Sequence, residues 1–419
     1  MQAPRLIGIA VAGQVLGYLL SVVLARRLGL AGFEAYVVAS AAFILLATFA
    51  ARGSEKYALL HLPTLLQRGD WTFARGLIVF GIRRTLCTAL VSALALAAWN
   101  WWTRDPGDEV RLALFATCLS LPAGALMHYG VEALSAAGRP LQALAIFKLF
   151  VPATALLLVA MMLLSPLPMR GAGAIACWGI AWVVALGLTA RALRRALPTP
   201  LFRARALQDT ENWRAATRPF FVYRVAMALL GQTGVIALDL LQPSPVAVGA
   251  YAAAAGTAGV VAVLATSTNR VYGRELALLI EARDFDGLLV ARRARLRWLV
   301  PVVLICLILT FAFSRQILAP YGPTFAEEGV PALRLVAVAT GFTILFALAP
   351  TWLKARRHDQ TTYTIVAIAA LAQLTLLVIL VPPFGATGAA LAYAVSMCGM
   401  YGAFAVIAWR EAVTLRAQG

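Results

Sequence analysis

The chain has 419 residues, 62% of them hydrophobic and 13% charged, with a mean hydropathy of +0.82. Soluble domains carry about 25% charged residues, so a water-soluble enzyme is excluded. Apolar residues fall in blocks of roughly 20 rather than alternating over about ten, which excludes a membrane β-barrel and predicts all-α membrane helices.

Reading the apolar blocks in order predicts about twelve transmembrane helices. The first, 6–24, carries Gly13 and Gly17 in a G-x-x-x-G pattern suited to close helix packing. It is longer than a signal-peptide core and lacks an A-x-A-like cleavage site, so it is expected to stay as a helix. Arg26, Arg27 and then Glu34 lead into the second, 34–50. A charged connection follows, in which Trp71–Arg84 is amphipathic and expected to lie at the interface. The third and fourth spans are 84–102 and 112–136. His128 and Glu132, four residues apart, share one face of the fourth. The fifth, 141–163, carries Lys148 at a depth similar to that of Glu132, which predicts an ion pair across this hairpin. His128 and Glu132 are also candidates for proton coupling. The sixth is 172–193.

The seventh span, 219–240, holds Arg224 about five residues in, with Gln232 two turns before Asp239. Arg224 is a candidate for lining a cationic path, and Gln232 with Asp239 for an ion site. After the eighth span (246–269), Asp284-Phe-Asp286 resembles the D-x-D of sugar-nucleotide glycosyltransferases, but its setting reads as a loop or helix cap. The ninth and tenth spans, 298–314 and 329–352, place Arg334 at an outer helix end. The last two are 362–381 and 386–409. Five cysteines are scattered through the apolar blocks and read as small core residues, neither a disulfide framework nor a metal cluster.

The charge explains itself once placed on these spans. Of 36 Lys and Arg, 28 fall at the termini and on the connections on their side, counting the adjoining span ends that carry Arg84, Lys148 and Arg191; six fall on the opposite connections (Arg26, Arg27, Arg104, Arg111, Arg170, Arg315), and two others inside spans, Arg224 and Arg334. That asymmetry places both termini in the cytoplasm. The net charge of +18 is then a topology signal facing anionic lipid, not a nucleic-acid footprint.

The halves repeat at an offset near 215 residues. Phe33-Glu-Ala-Tyr36 corresponds to Val248-Gly-Ala-Tyr251, and Gly171-Ala-Gly173-Ala174 to Gly385-Ala-Thr-Gly388-Ala389. Six helices per half insert with the same orientation, which predicts two pseudo-symmetric bundles, 1–205 and 206–419, working by alternating access.

Four segments carry a resemblance: Arg27-Leu-Gly29 with Gly32–Tyr36; Leu134-Ser-Ala-Ala-Gly138-Arg139; Tyr321-Gly322-Pro-Thr-Phe325-Ala326; and Pro383-Phe384-Gly385 with Gly388-Ala389. On these the chain resembles the Wzx-type polysaccharide flippases of the multidrug/oligosaccharidyl-lipid/polysaccharide exporter superfamily. The resemblance implies that an undecaprenyl-diphosphate-linked oligosaccharide passes from the cytoplasmic to the periplasmic leaflet of a bacterial inner membrane, as in O-antigen and lipopolysaccharide synthesis. No cofactor is implied beyond a coupling proton or sodium ion. The implied partners are the lipid-linked substrate, the bilayer and polysaccharide polymerase machinery. Stranded hydroxyls and phosphates cost several kcal/mol each in hydrocarbon, so the path needs cations. Arg224, Lys148, Arg334, Arg26 and Arg27 are the candidates, with Glu132, His128, Asp239 and Gln232 for ion coupling. Two other readings stay open. A drug/cation antiporter would need an acidic cavity, and a membrane-embedded glycosyltransferase or polymerase would need carboxylates in a sizeable loop.

Overall fold

The structure, a computed structural model, describes all residues except 1–2, 167, 282–284, 356–358 and 419. Side chains are described except at those positions and at 3–4, 263–271, 273–278, 280–281, 285–286, 288–289, 354–355, 359 and 412–418. Every regular element among the described residues is helical. Contacts divide the chain into two compact units, Met1–Gln232 and Thr233–Gly419.

The first unit contains α1 (Ala3–Ala51), α2 (Ser54–Gln67), α3 (Trp71–Thr103), α4 (Glu109–Ala136), α5 (Pro140–Leu164) and α6 (Gly171–Ala196). It ends within α7 (Thr210–Leu241), which continues into the second. The second unit adds α8 (Pro245–Glu281), α9 (Phe285–Ala312), α10 (Val330–Phe346) and α11 (Asp359–Gln418). Ten helices among the described residues are long and apolar enough to cross a membrane. Nine of the twelve predicted blocks fall within them; 298–314 and 329–352 overrun a helix end by one or two residues, and 246–269 runs past the apolar stretch that ends at Ala262.

Two of the ten are double length, Arg5–Ala51 with 47 residues and Gln360–Glu411 with 52. A straight helix of that size would reach about 70 Å, over twice the hydrocarbon thickness. Each breaks at a glycine in a non-helical conformation, Gly29 (φ 68, ψ −171) and Gly385 (φ 49, ψ −128). The chain folds back there. Gly13 packs against Lys148, and Phe43 lies against Trp182, which also contacts Phe147. Residues 13 and 43 therefore sit at one depth, on opposite sides of Gly29. Past the second break, a Cβ on Gly388 would lie 2.1 Å from the Leu380 carbonyl oxygen. A side chain at the positive φ of either break would be strained by roughly 1–2 kcal/mol.

Two boundaries differ from the expected ones. Trp71–Arg84, expected as an amphipathic stretch of the connection, forms the first turns of α3, started by Asp70, whose carboxylate accepts from the Phe73 amide at 3.2 Å. Likewise α7 starts at Thr210, nine residues ahead of the expected span, with Pro219 inside the helix. Neighbouring helices re-satisfy backbone groups freed by a membrane-helix proline, so Pro219 does not mark a start. Arg224 is thus 14 residues into α7, about 21 Å along its axis.

Candidate functional site

The junction of α1 and α2 organises the polar interior of the first unit. Arg52 (φ 51) and Gly53 (φ 74) turn the chain in two left-handed residues. Such a conformation costs a non-glycine residue about 1–3 kcal/mol, so the surroundings must hold Arg52 in it. A Cβ on Gly53 would lie 2.6 Å from both the Thr217 carbonyl oxygen and the Phe221 amide nitrogen, so the head of α2 rests directly on the backbone of α7. Glu55, Ala58 and Leu62 form the inward face of α2, each 0% exposed. A carboxylate thus occupies the first position of an otherwise apolar stripe.

Arg224 meets it from α7, with Nε 3.3 Å from Glu55 Oε1. Neither Glu55 oxygen accepts a hydrogen bond from any described residue. Burial raises the Glu55 pKa above the ordinary 4.5, against the opposing pull of Arg224, its own backbone amide (too poorly aligned for a full hydrogen bond) and Lys56; Glu132 pushes it further up. The neighbouring groups have partners of their own. Lys56 Nζ donates to Glu132 Oε1 at 2.6 Å, Arg84 Nη1 to Thr217 Oγ1 at 2.6 Å, and the Tyr129 hydroxyl to the Leu77 carbonyl at 3.2 Å. Ser54 Oγ donates to the Ala51 carbonyl at 2.6 Å and faces Thr85 Oγ1 at 3.5 Å.

Two candidate coupling residues lie beside this cluster. Glu132 is bonded to Lys56, not to Lys148 as the hairpin expectation had it; the connection between the second and third spans folds in as α2 and delivers the nearer ammonium. His128 sits one turn earlier on α4. Its ring centroid is 5.5 Å from that of Phe147 and 5.7 Å from that of Trp182, and Nε2 is buried without a hydrogen-bond partner among the described residues. Trp182 Nε1 is buried in the same condition, and Trp182 continues the cluster to Phe43 (5.2 Å) and Trp178 (5.5 Å).

The other sequence candidates stand apart from Glu55. Lys148 is exposed, in a π-helical turn, Ile146–Phe150, with its ammonium 5.2 Å from the Phe147 ring centroid. Arg26 and Arg27 are exposed just before the Gly29 break. In the second unit Arg334 donates to the Phe311 carbonyl (3.1 Å) and to Ser314 Oγ (3.2 Å), closing the C-terminal end of α9. Gln232 is half-buried at the end of the first unit, and Asp239 is buried, two residues before α7 ends. Asp284 lies outside the described residues, as does the Asp286 side chain.

Sequence reading missed Glu55 and Arg84. Glu55 lies in Arg52-Gly-Ser-Glu55-Lys56, which reads as solvated loop. The spacing 55, 58, 62 was the available signal, because it puts the carboxylate on the apolar face of a short helix.

No family model and no curated protein matches the chain. Solved structures do. An inward-facing multidrug resistance MATE family transporter of the MOP superfamily superposes with a TM-score of 0.73 at 12% identity, covering 100% of this chain and 99% of that one. An outward-facing structure of a multidrug resistance MATE family transporter gives 0.64 at 14% identity, covering 99% and 96%. A MOP superfamily transporter from Pyrococcus furiosus gives 0.63 at 13%, again covering 99% and 96%. At such identities the likeness is one of fold, and it runs the whole length: this chain is a multi-pass membrane protein with the MATE-like transporter fold.

Proposed function

We propose that the chain is an exporter that works by alternating access and moves an undecaprenyl-diphosphate-linked oligosaccharide across a bacterial inner membrane, driven by an ion gradient. The observation that carries the transport part is the full-length fold match to transporters solved in both inward-facing and outward-facing forms. Counting each double-length helix as two arms about Gly29 and Gly385 brings the ten membrane-length helices among the described residues to the twelve crossings of this reading. The 28-to-6 cation asymmetry supports cytoplasmic termini. The lipid-linked substrate rests on the four segments that resemble polysaccharide flippases and on Arg224, Lys148, Arg334, Arg26 and Arg27 as an anion-favouring set. Glu132, His128, Asp239 and Gln232 remain the coupling residues put forward by the sequence.

A drug/cation antiporter is the second reading. Two observations favour it: the multidrug transporters among the fold relatives, and, in the first unit, both a fully buried carboxylate, Glu55, and an aromatic cluster of Phe43, Phe147, Trp178 and Trp182. Proteoliposomes separate the two. Under an imposed ion gradient, the flippase reading expects a fluorescent undecaprenyl-diphosphate oligosaccharide to change leaflet and a lipophilic cation such as ethidium to stay put. Ethidium efflux without lipid movement would replace the first reading by the second.

A further inference from the structure

We propose that the Glu55 carboxyl is a proton-binding site, emptied when Arg224 is engaged and filled when Arg224 withdraws. Its coupling role rests on the transport reading above; the binding site itself does not.

The geometry isolates one contact. Glu55 is fully buried and no well-formed hydrogen bond reaches its two oxygens from any described residue, so beyond the weak pull of its own backbone amide an ionised carboxylate there depends on nearby charge. The groups that face it are Arg224 on α7, Arg84 on α3, Glu132 and Tyr129 on α4, and Lys56 on its own helix. Lys56 is held by Glu132, Arg84 by Thr217 and Tyr129 by the Leu77 carbonyl. That leaves Arg224, whose side chain is 30% exposed, as the cation within ion-pair distance. With Arg224 at 3.3 Å the carboxylate has its counter-charge; with Arg224 turned to solvent, the neutral acid is favoured. Arg224 rides on α7, the helix that leaves the first unit at Gln232 and continues into the second. A movement of α7 therefore changes the protonation of Glu55, and protonation of Glu55 releases α7 from α2.

The same surroundings choose the ligand. Arg224, Arg84 and Lys56 outnumber Glu55 and Glu132, so a bound sodium ion would meet net repulsion. A proton cancels the buried charge without needing a shell of oxygen ligands.

The test is a pH titration of the purified full-length protein by infrared difference spectroscopy, read at the carbonyl stretch of a protonated carboxyl. The wild type should show a titrating band that Glu55→Gln removes. Arg224→Gln should move its midpoint upward by about one pH unit or more, a tenfold gain in proton affinity. Where Glu55→Gln does not accumulate, the Glu55→Gln/Arg224→Gln double variant, which removes both charges, takes its place. A band that survives loss of Glu55, or a midpoint indifferent to Arg224, overturns the site. In proteoliposomes, export by Glu55→Gln should lose most of its response to a pH gradient; an unaltered response overturns the coupling role. A Glu55 band in a protein that moves no lipid-linked oligosaccharide upholds the site and removes only the cargo.

Discussion

Each unit sets an arginine against a different kind of buried partner. In the first, Arg224 faces the Glu55 carboxylate, a group that can gain a proton and lose its charge. In the second, Arg295 is 3% exposed and donates to the carbonyls of Ile344 (2.9 Å) and Leu345 (3.1 Å), the open end of α10. Main-chain carbonyls do not titrate, and the helix dipole favours a cation there under all conditions. One contact can be switched by its surroundings. The other is a fixed cap, and Arg334 on the end of α9 repeats its design.

Substitutions can break or sharpen this contrast. The largest loss is expected from Gly53→Val, which adds a side chain at positive φ against the α7 backbone. It should cost about 3 kcal/mol or more and appear as loss of folded protein in fluorescence-detected size exclusion. Arg224→Met leaves Glu55 buried without its cation, a loss of about 3 kcal/mol when the acid is ionised. The sign follows from the raised pKa of Glu55. A raised folded-state pKa contributes stability that is complete below the ordinary 4.5 and disappears as pH climbs through the folded value. The thermal midpoint of Arg224→Met should therefore approach that of the wild type below the ordinary 4.5 and fall away from it as pH rises above that value. A deficit independent of pH would mean that Glu55 does not titrate.

Arg295→Lys gives up the forked reach to two carbonyls, at about 1–2 kcal/mol. Its deficit should be level across the same pH range, and a sloping one would remove the contrast between the units. The smallest effect is expected from Glu132→Gln. The Lys56–Glu132 pair is 32% and 21% exposed, and such pairs contribute about 0–1 kcal/mol. A thermal shift beyond a few degrees would mark Glu132 as part of the buried pair.

Most of the fold was legible because hydrocarbon is a strict solvent. A run such as 172–193 admits one conformation and one location, and α6 spans Gly171–Ala196. What was lost lies where the lipid constraint ends. Pro219 reads as a helix start in water-soluble sequence, yet α7 runs through it. Trp71–Arg84 has the charge of an interfacial segment, yet it joins α3 because no breaker separates the two. The site was less legible still. Arg224 stood out as a charge inside an apolar block, but its partner Glu55 did not, being set between Arg52 and Lys56 where an acid looks solvated. Its burial is created by α7 lying on Gly53, a contact between residues over 160 positions apart.

The glycine breaks at positions 29 and 385 also bear on how the protein presents itself to digestion. Both fall on connections expected opposite the termini, and each reverses the chain with almost no loop, so at these two turns a protease finds little main chain it can stretch into its cleft. The opposite face exposes the connection that includes α2 and the segment between α6 and α7, both rich in arginine. Under the expected topology, trypsin outside intact spheroplasts should spare Arg26 and Arg27 beside the Gly29 turn and cut first at other connections of that side, such as those of Arg170 and Arg315.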